Sequence, residues 1–249
     1  MSERRPRKQR APTGPPPPPV AQRLWIRYTK TGRLRFMSHR DFARAFERAI
    51  RRAKLPIGFS AGFTPHPKIS WVGAAPTGVA SEAEYVEIGL TEQRDPEEVR
   101  VALNDSLPAD LDICECVPAT GKSLAERVTA SEWQFTFTQV SPALLREAVE
   151  HLIGAEQVTV QRLTQTGRKS VDVRGPLVGA SVSTGPSSDC AIMTMVVRQS
   201  TPVIRPDDVY AALHDVAGLV PPVPPSAVRL RQGDLDAADR LVDPLGYQP

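Results

Sequence analysis

Two histidines and a row of arginines are the residues of this 249-residue chain whose types and spacing could do chemistry. His66 sits between Pro65 and Pro67, and a proline on each side restricts the backbone and so the directions in which the ring can point. Lys68 follows as a phosphate-contacting candidate, and Gly58 and Gly62 precede it, where glycine permits tight turns or the close approach of a ligand. His39 stands at the head of a segment in which Arg40, Arg44, Arg48 and Arg51 recur at helical spacing. Imidazole exchanges a proton near neutral pH. Two histidines beside an arginine surface could therefore support metal-independent RNA cleavage, with one base for the 2′-hydroxyl and one acid for the leaving oxygen. The same residues also fit simple binding. Guanidinium forks grip phosphate through paired hydrogen bonds, while Gly62, Phe63, His66 and Lys68 make an adjoining contact loop. A rigid turn with a hydrogen-bonded His66, and a His39 that only helps cap a helix, are the structural alternatives.

The helix that must carry the arginines is legible. Ser38 is a good N-cap, and Asp41 stands three residues on, where a capping partner belongs and where the helix end favours negative charge. Phe42, Ala45, Phe46, Ala49, Ile50 and Ala53 fall on one face. Arg40, Arg44, Arg48 and Arg51 fall on the other, with Arg52 at its edge. Leu55-Pro56 is expected to end the helix. Like charges four residues apart cost roughly a few tenths of a kcal/mol per pair, and Glu47 offsets only part of that. Solvated helix faces usually mix signs, so this face reads as a docking surface for a polyanion.

The net charge of +3 hides a strong polarity along the chain. Residues 23–68 hold twelve basic and two acidic residues, a net +10, whereas everything after Lys68 is net −11. Such asymmetry points to nucleic acid or an acidic surface. Hydrophobic residues make up 41% of the chain, enough for a packed core, and no run approaches the roughly 20 apolar residues that span a bilayer. Residues 1–21 join a basic head to the proline run 15–19 and read as a disordered tail, without the apolar core of a signal peptide. The expected location is cytoplasmic, which the three cysteines Cys114, Cys116 and Cys190 also suit. The Cys114/Cys116 spacing is not that of a zinc knuckle. No phosphate-binding glycine loop or dinucleotide fingerprint is present, and we expect no metal and no cofactor.

Residues 24–28 alternate as a strand, 58–71 read as a strand or hairpin broken by glycine and proline, and 85–90 form another strand. Asp95-Pro96 starts a second helix, and 111–117 closes the unit as a strand. The second half repeats the pattern: strand at 133–137, helix from Ser141-Pro142, strands at 158–163 and 190–197, helix from Pro206, and a short strand at 228–231. The fold class is α+β, with two tandem ferredoxin-like (β-α-β-β-α-β) units at 22–121 and 129–232 and a C-terminal tail at 233–249. Arg168, Lys169 and Arg174 form a second basic group, read either as an exposed hairpin or as a further RNA contact. Tyr28, Phe36, Phe59, Phe63 and Trp71 are interleaved with the basic residues, and aromatics can stack on unpaired bases. Of these, we expect only Phe63 to do so.

The stretches 27–32, 35–41, 51–53, 58–70, 76–79 and 81–85, above all Gly58-Phe59-Ser60-Ala61-Gly62-Phe63-Thr64-Pro65-His66-Pro67-Lys68, resemble the radical SAM-linked protein family, a domain of unknown function (DUF2344). Residues 169–174 resemble a second landmark of that family, and the resemblance covers about residues 23–230. It implies a protein encoded beside, or fused to, a radical SAM protein, and in some bacteria near an E/G-type ribonuclease and ribosomal proteins. This chain lacks the three-cysteine cluster of an iron–sulfur centre. The reading from residues and resemblance together is a non-catalytic RNA-binding or RNA-enzyme accessory protein. Alternatives are a component of an RNA-processing or RNA-modifying enzyme, acting through His39 and His66 or with a separate radical SAM protein, and a protein–protein adaptor to a ribonuclease or the ribosome. Nothing distinguishes tRNA, rRNA and mRNA as the RNA.

Overall fold

The structure, a computed structural model, describes residues 16–165 and 167–246. Most of the basic and proline-rich tail expected at 1–21 lies outside them. In chain order the elements are β1 (Gln22–Lys30), a 3₁₀ turn (Gly32–Phe36), α1 (His39–Arg52), β2 (Ile69–Val72), β3 (Ala80–Leu90), α2 (Pro96–Asn104), β4 (Ile113–Pro118) and a second 3₁₀ turn (Leu124–Arg127). Then follow β5 (Ala130–Thr138), α3 (Pro142–Gly154), β6 (Thr159–Thr164), β7 (Gly167–Asp172), β8 (Leu177–Thr184), β9 (Cys190–Arg198), α4 (Pro206–Ala217), β10 (Ser226–Leu235) and β11 (Leu241–Val242).

The first half pairs its strands in the order β4-β1-β3-β2, and the second in the order β10-β5-β9-β8. Each is the ferredoxin-like arrangement, so the fold is α+β with two tandem β-α-β-β-α-β units. The units share one sheet. The first residues of β3, Ala80 and Ser81, pair in parallel with Val228 and Arg229 of β10. This junction buries charge: the Arg229 guanidinium binds the Glu84 carboxylate, and Arg229 Nε donates to Ser81 Oγ at 3.3 Å. Gln232 donates to the Ala83 carbonyl. Lys30, only 5% exposed, reaches the Ala75 carbonyl at 3.5 Å, and burial holds its amine below the ordinary lysine value.

Helices cover one face of each unit. Phe42, Phe46 and Ile50 of α1 pack with Leu24, Ile26, Val86 and Ile88, and Leu145, Ala148, Val149 and Leu152 of α3 pack with Phe135, Phe137 and Met193. The reverse faces differ. That of the first unit is closed by Trp25, Val72, Tyr85, Leu124, Val128 and Leu245. That of the second presents the half-buried Gln134, Thr136 and Thr194 and the exposed Ser181.

Two expectations are corrected. Residues 158–163 do not form the second strand of the second unit. As β6 they pair with β7 in a separate hairpin, whose Val160 and Val171 join the α3/α4 core, and β8 takes the expected place. Alternation shows that a segment is a strand but not which sheet it joins, and the weakly apolar β8 edge strand gives little signal. The stretch 233–249 is partly built into the fold. β10 continues to Leu235, β11 pairs with it, Leu245 is buried, and Arg127 donates to the Pro244 carbonyl at 3.2 Å.

Candidate functional site

The arginine helix forms as its sequence dictates. Ser38 accepts from the Asp41 amide at 3.2 Å, and its hydroxyl donates to Asp41 Oδ2 at 2.7 Å. At the other end α1 stops before Leu55-Pro56. Lys54 adopts a left-handed conformation (φ 52°), and the Leu55 amide bonds back to the Ile50 carbonyl at 3.2 Å, a Schellman closure in which a lysine takes the usual glycine place.

Phe42, Ala45, Phe46, Ala49 and Ile50 are buried, which leaves Arg40, Arg44, Arg48, Arg51 and Arg52 exposed. Asp41 approaches Arg44 only to 3.9 Å. Among the described residues, no ion pair engages Arg40, Arg48 or Arg51. Arg52 donates to the Ser106 carbonyl at 2.9 Å, and with Ala45 and Arg48 it lines a groove of about 160 Å³. The face is thus a row of exposed guanidinium groups in which Arg52 is tied down and Arg44 is loosely paired with Asp41.

Residues 58–68 form a narrow excursion from the sheet. The Lys68 amide bonds to the Gly58 carbonyl at 2.7 Å, and the Ser60 amide to the His66 carbonyl at 2.8 Å. The His66 amide in turn donates to Ser60 Oγ at 3.0 Å. Gly58 is tightly packed: a Cβ there would lie 3.1 Å from the Val20 side chain and 3.3 Å from the Gly89 carbonyl, so its neighbours would have to shift. Gly62 is required by its backbone (φ 141°), with open space around it. Phe63 is 71% exposed at the tip, and His66 and Lys68 are also exposed.

The two histidines have different surroundings. The His39 ring stands edge-on to Trp71 at 5.5 Å, beside the Tyr28/Phe42/Phe46 cluster, whereas His66 belongs to the excursion. Among the described residues, no hydrogen bond or ring contact joins them. Tyr28 is a core residue, stacking on Phe42 at 4.8 Å, and the half-buried Trp71 packs against that core. Burial and the nearby Glu84 charge raise the Tyr28 phenol well above its ordinary value. Phe36, Phe59 and Phe63 face solvent.

The second basic group divides. Arg174 is committed to the C-terminal end of α3, donating to the Ile153 carbonyl at 2.9 Å, while Arg168 and Lys169 stand exposed on β7. On β4, burial pushes the Cys116 thiol up to about 12 and also raises that of Cys114. Among the described residues, no three His, Cys, Asp or Glu side chains are grouped as metal ligands would be. No helix among them is long and apolar enough to cross a membrane.

A region absent from the sequence-derived candidates lies between the units. The 3₁₀ turn before α1 and the 76–80 loop face the start of α4 across a cleft of about 840 Å³. Its residues are far apart in the chain. The only local signal was Arg35-Phe36 placed just ahead of a helix cap, and residue type alone does not tell an exposed phenylalanine from a buried one.

The domain described as an uncharacterized protein conserved in bacteria (DUF2344) matches residues 23–206, and the chain belongs to that family. A search of curated proteins finds no match. Among solved structures, the chain is similar to the first two RRM domains of the yeast poly(U) binding protein Pub1. Identity is 10%, 84% of this chain and 98% of that chain are covered, and the TM-score is 0.19, which is too low to carry a functional argument.

Proposed function

We propose that this protein binds RNA in the cytoplasm through the exposed face of α1 and the neighbouring 58–68 excursion, as a non-catalytic partner of a separate RNA enzyme. The observation that carries this reading is the charge of α1. It is net +3, and Arg40, Arg48 and Arg51 lack acidic partners among the described residues. By contrast α2, α3 and α4 are each net acidic. Four guanidinium groups on one face suit successive phosphates, and the exposed Gly62, Phe63, His66 and Lys68 extend the surface. The enzyme served is a radical SAM protein or an E/G-type ribonuclease, the associations implied by the family resemblance. Cleavage by a histidine pair is the weaker reading, because the His39 ring is packed on Trp71.

Crosslinking and sequencing of bound RNA in cells tests the proposal, with an Arg44→Glu/Arg48→Glu variant alongside. Discrete RNAs that vanish in the variant are the expected result. No enrichment above background sinks the RNA reading and directs the search to acidic protein surfaces, as an adaptor would require.

A further inference from the structure

Three of the seven phenylalanines are exposed: Phe36 at 61%, Phe59 at 44% and Phe63 at 71%. All three fall within the net +10 stretch 23–68, whereas Phe42, Phe46, Phe135 and Phe137 are at most 2% exposed. A surface phenylalanine forgoes burial worth about 1.5–3 kcal/mol, and three such rings in the most basic stretch of the chain call for a common ligand. Phe36 has the most developed surroundings. The Arg35 guanidinium lies 4.7 Å over its ring, and the Gly78 amide holds the Arg35 carbonyl at 2.7 Å. Phe36 also lines the inter-unit cleft, with Thr77 on its own side and Arg205 and Tyr210 across from it. The Tyr210 ring is fixed by its hydroxyl, which donates to the Pro225 carbonyl at 3.2 Å. The cleft volume of about 840 Å³ falls within the range of about 300–1,000 Å³ typical of small-ligand sites.

We propose that this cleft takes an unpaired base of the RNA whose phosphates follow α1, with Phe36 as the stacking surface. The proposal rests on the RNA reading above and adds the class of RNA: single-stranded where it meets the protein. Chain connectivity supports the shared path, since Arg40 follows Phe36 by four positions, which limits their Cα atoms to about 15 Å apart. In a duplex the base faces are buried in the stack and unavailable to a ring, whereas unpaired bases stack readily on aromatic and guanidinium planes. Arg35 over Phe36 offers both kinds of plane. Thr77, Arg205 and Ser226 supply donors and acceptors at the cleft wall for base edges.

Fluorescence anisotropy with two labelled probes at one salt concentration tests this, one a 12-nucleotide oligouridine and the other a 12-base-pair RNA duplex. The full chain is expected to prefer the unpaired probe. Phe36→Ala is expected to weaken unpaired binding about tenfold and leave the duplex unchanged, and Phe36→Trp to retain the preference. Thr77→Trp, which fills the cleft from an exposed position, is expected to reproduce the loss. Unaltered unpaired binding in both Phe36→Ala and Thr77→Trp overturns the proposal, as does an equal loss on both probes. Failure of the wild-type chain to bind either probe overturns the RNA reading itself.

Discussion

α1 and α3 hold the same place in two copies of one topology, each the first helix of a β-α-β-β-α-β unit. Each is capped by a serine, Ser38 or Ser141, that accepts from an amide three residues on at 3.2 or 3.3 Å. Each buries one apolar stripe. Their outer faces diverge. α1 presents five arginines against Asp41 and Glu47, whereas α3 carries Arg146 with Glu147 and Glu150. The fold therefore needs the stripe and the cap but not the arginines. A mutually repelling row that the architecture does not require is what the proposed RNA contact would account for. The reverse sheet faces teach the same lesson in opposite sense: the first unit covers its face with Trp25 and Tyr85, and the second leaves Gln134 and Thr136 half-open.

The comparison can be broken most severely at the junction of the units. Arg229→Met removes the guanidinium from the buried Glu84 carboxylate, which keeps only the Ala75 amide and the Lys30 charge, and should cost about 3 kcal/mol in urea unfolding, while Glu84→Leu/Arg229→Met should recover only part of the loss because Lys30 is then buried without an acidic partner. Separate unfolding transitions for the two halves of the wild-type chain would instead show that the shared sheet does not couple them. Charge reversal comes next. Arg44→Glu/Arg48→Glu should lower RNA affinity about a hundredfold at low salt, and Glu147→Arg/Glu150→Arg on α3 should create no comparable site. Equal RNA affinity for both variants would mean that the position of the charge is immaterial.

A finer test is the salt dependence. Each of Arg40→Gln, Arg48→Gln and Arg51→Gln should flatten the slope of log affinity against log salt by about 0.7 for an unpaired strand. Ser38→Ala and Ser141→Ala should each cost about 1 kcal/mol of stability, equal within error if the caps are equivalent. The smallest effect is expected with acid. The Asp236 carboxylate is held below its ordinary range by the Arg240 amide and side chain, and that of Glu126 by the Ser123 hydroxyl and amide. Groups so lowered stabilise the fold above the ordinary carboxylate range and lose that contribution as pH falls. Hydrogen exchange of the Leu241–Val242 pairing should therefore quicken, relative to β9, from about pH 4 downward.

Much of the site was legible because its determinants are local. Ser38, the apolar stripe and the arginine face of α1 lie within one stretch of periodic sequence, and the structure places them as the spacing predicts. The end of the helix was less legible, because the Lys54 conformation is a property of backbone closure and not of residue type. The contact of the His39 ring with Trp71, 32 positions later, was not legible in the sequence. The strand at 158–163 leaves its expected place to 177–184, a segment not expected to be a strand, because strand partners are chosen between segments far apart in the chain.

By itself, the sequence determined the four helices, the serine caps of α1 and α3, most of the paired strands, the two-unit repeat and the segregation of positive charge into residues 23–68, since each follows from periodicity, end chemistry or composition. Only the tertiary structure decided that β3 and β10 join the units through a buried Glu84–Arg229 pair, that Phe36 faces a cleft while Phe42 enters the core, and that Arg40, Arg48, Arg51 and Arg52 of α1 stand without acidic partners among the described residues. Burial, pairing and exposure are relations between distant residues, and they exist only once the sheet has brought those residues together.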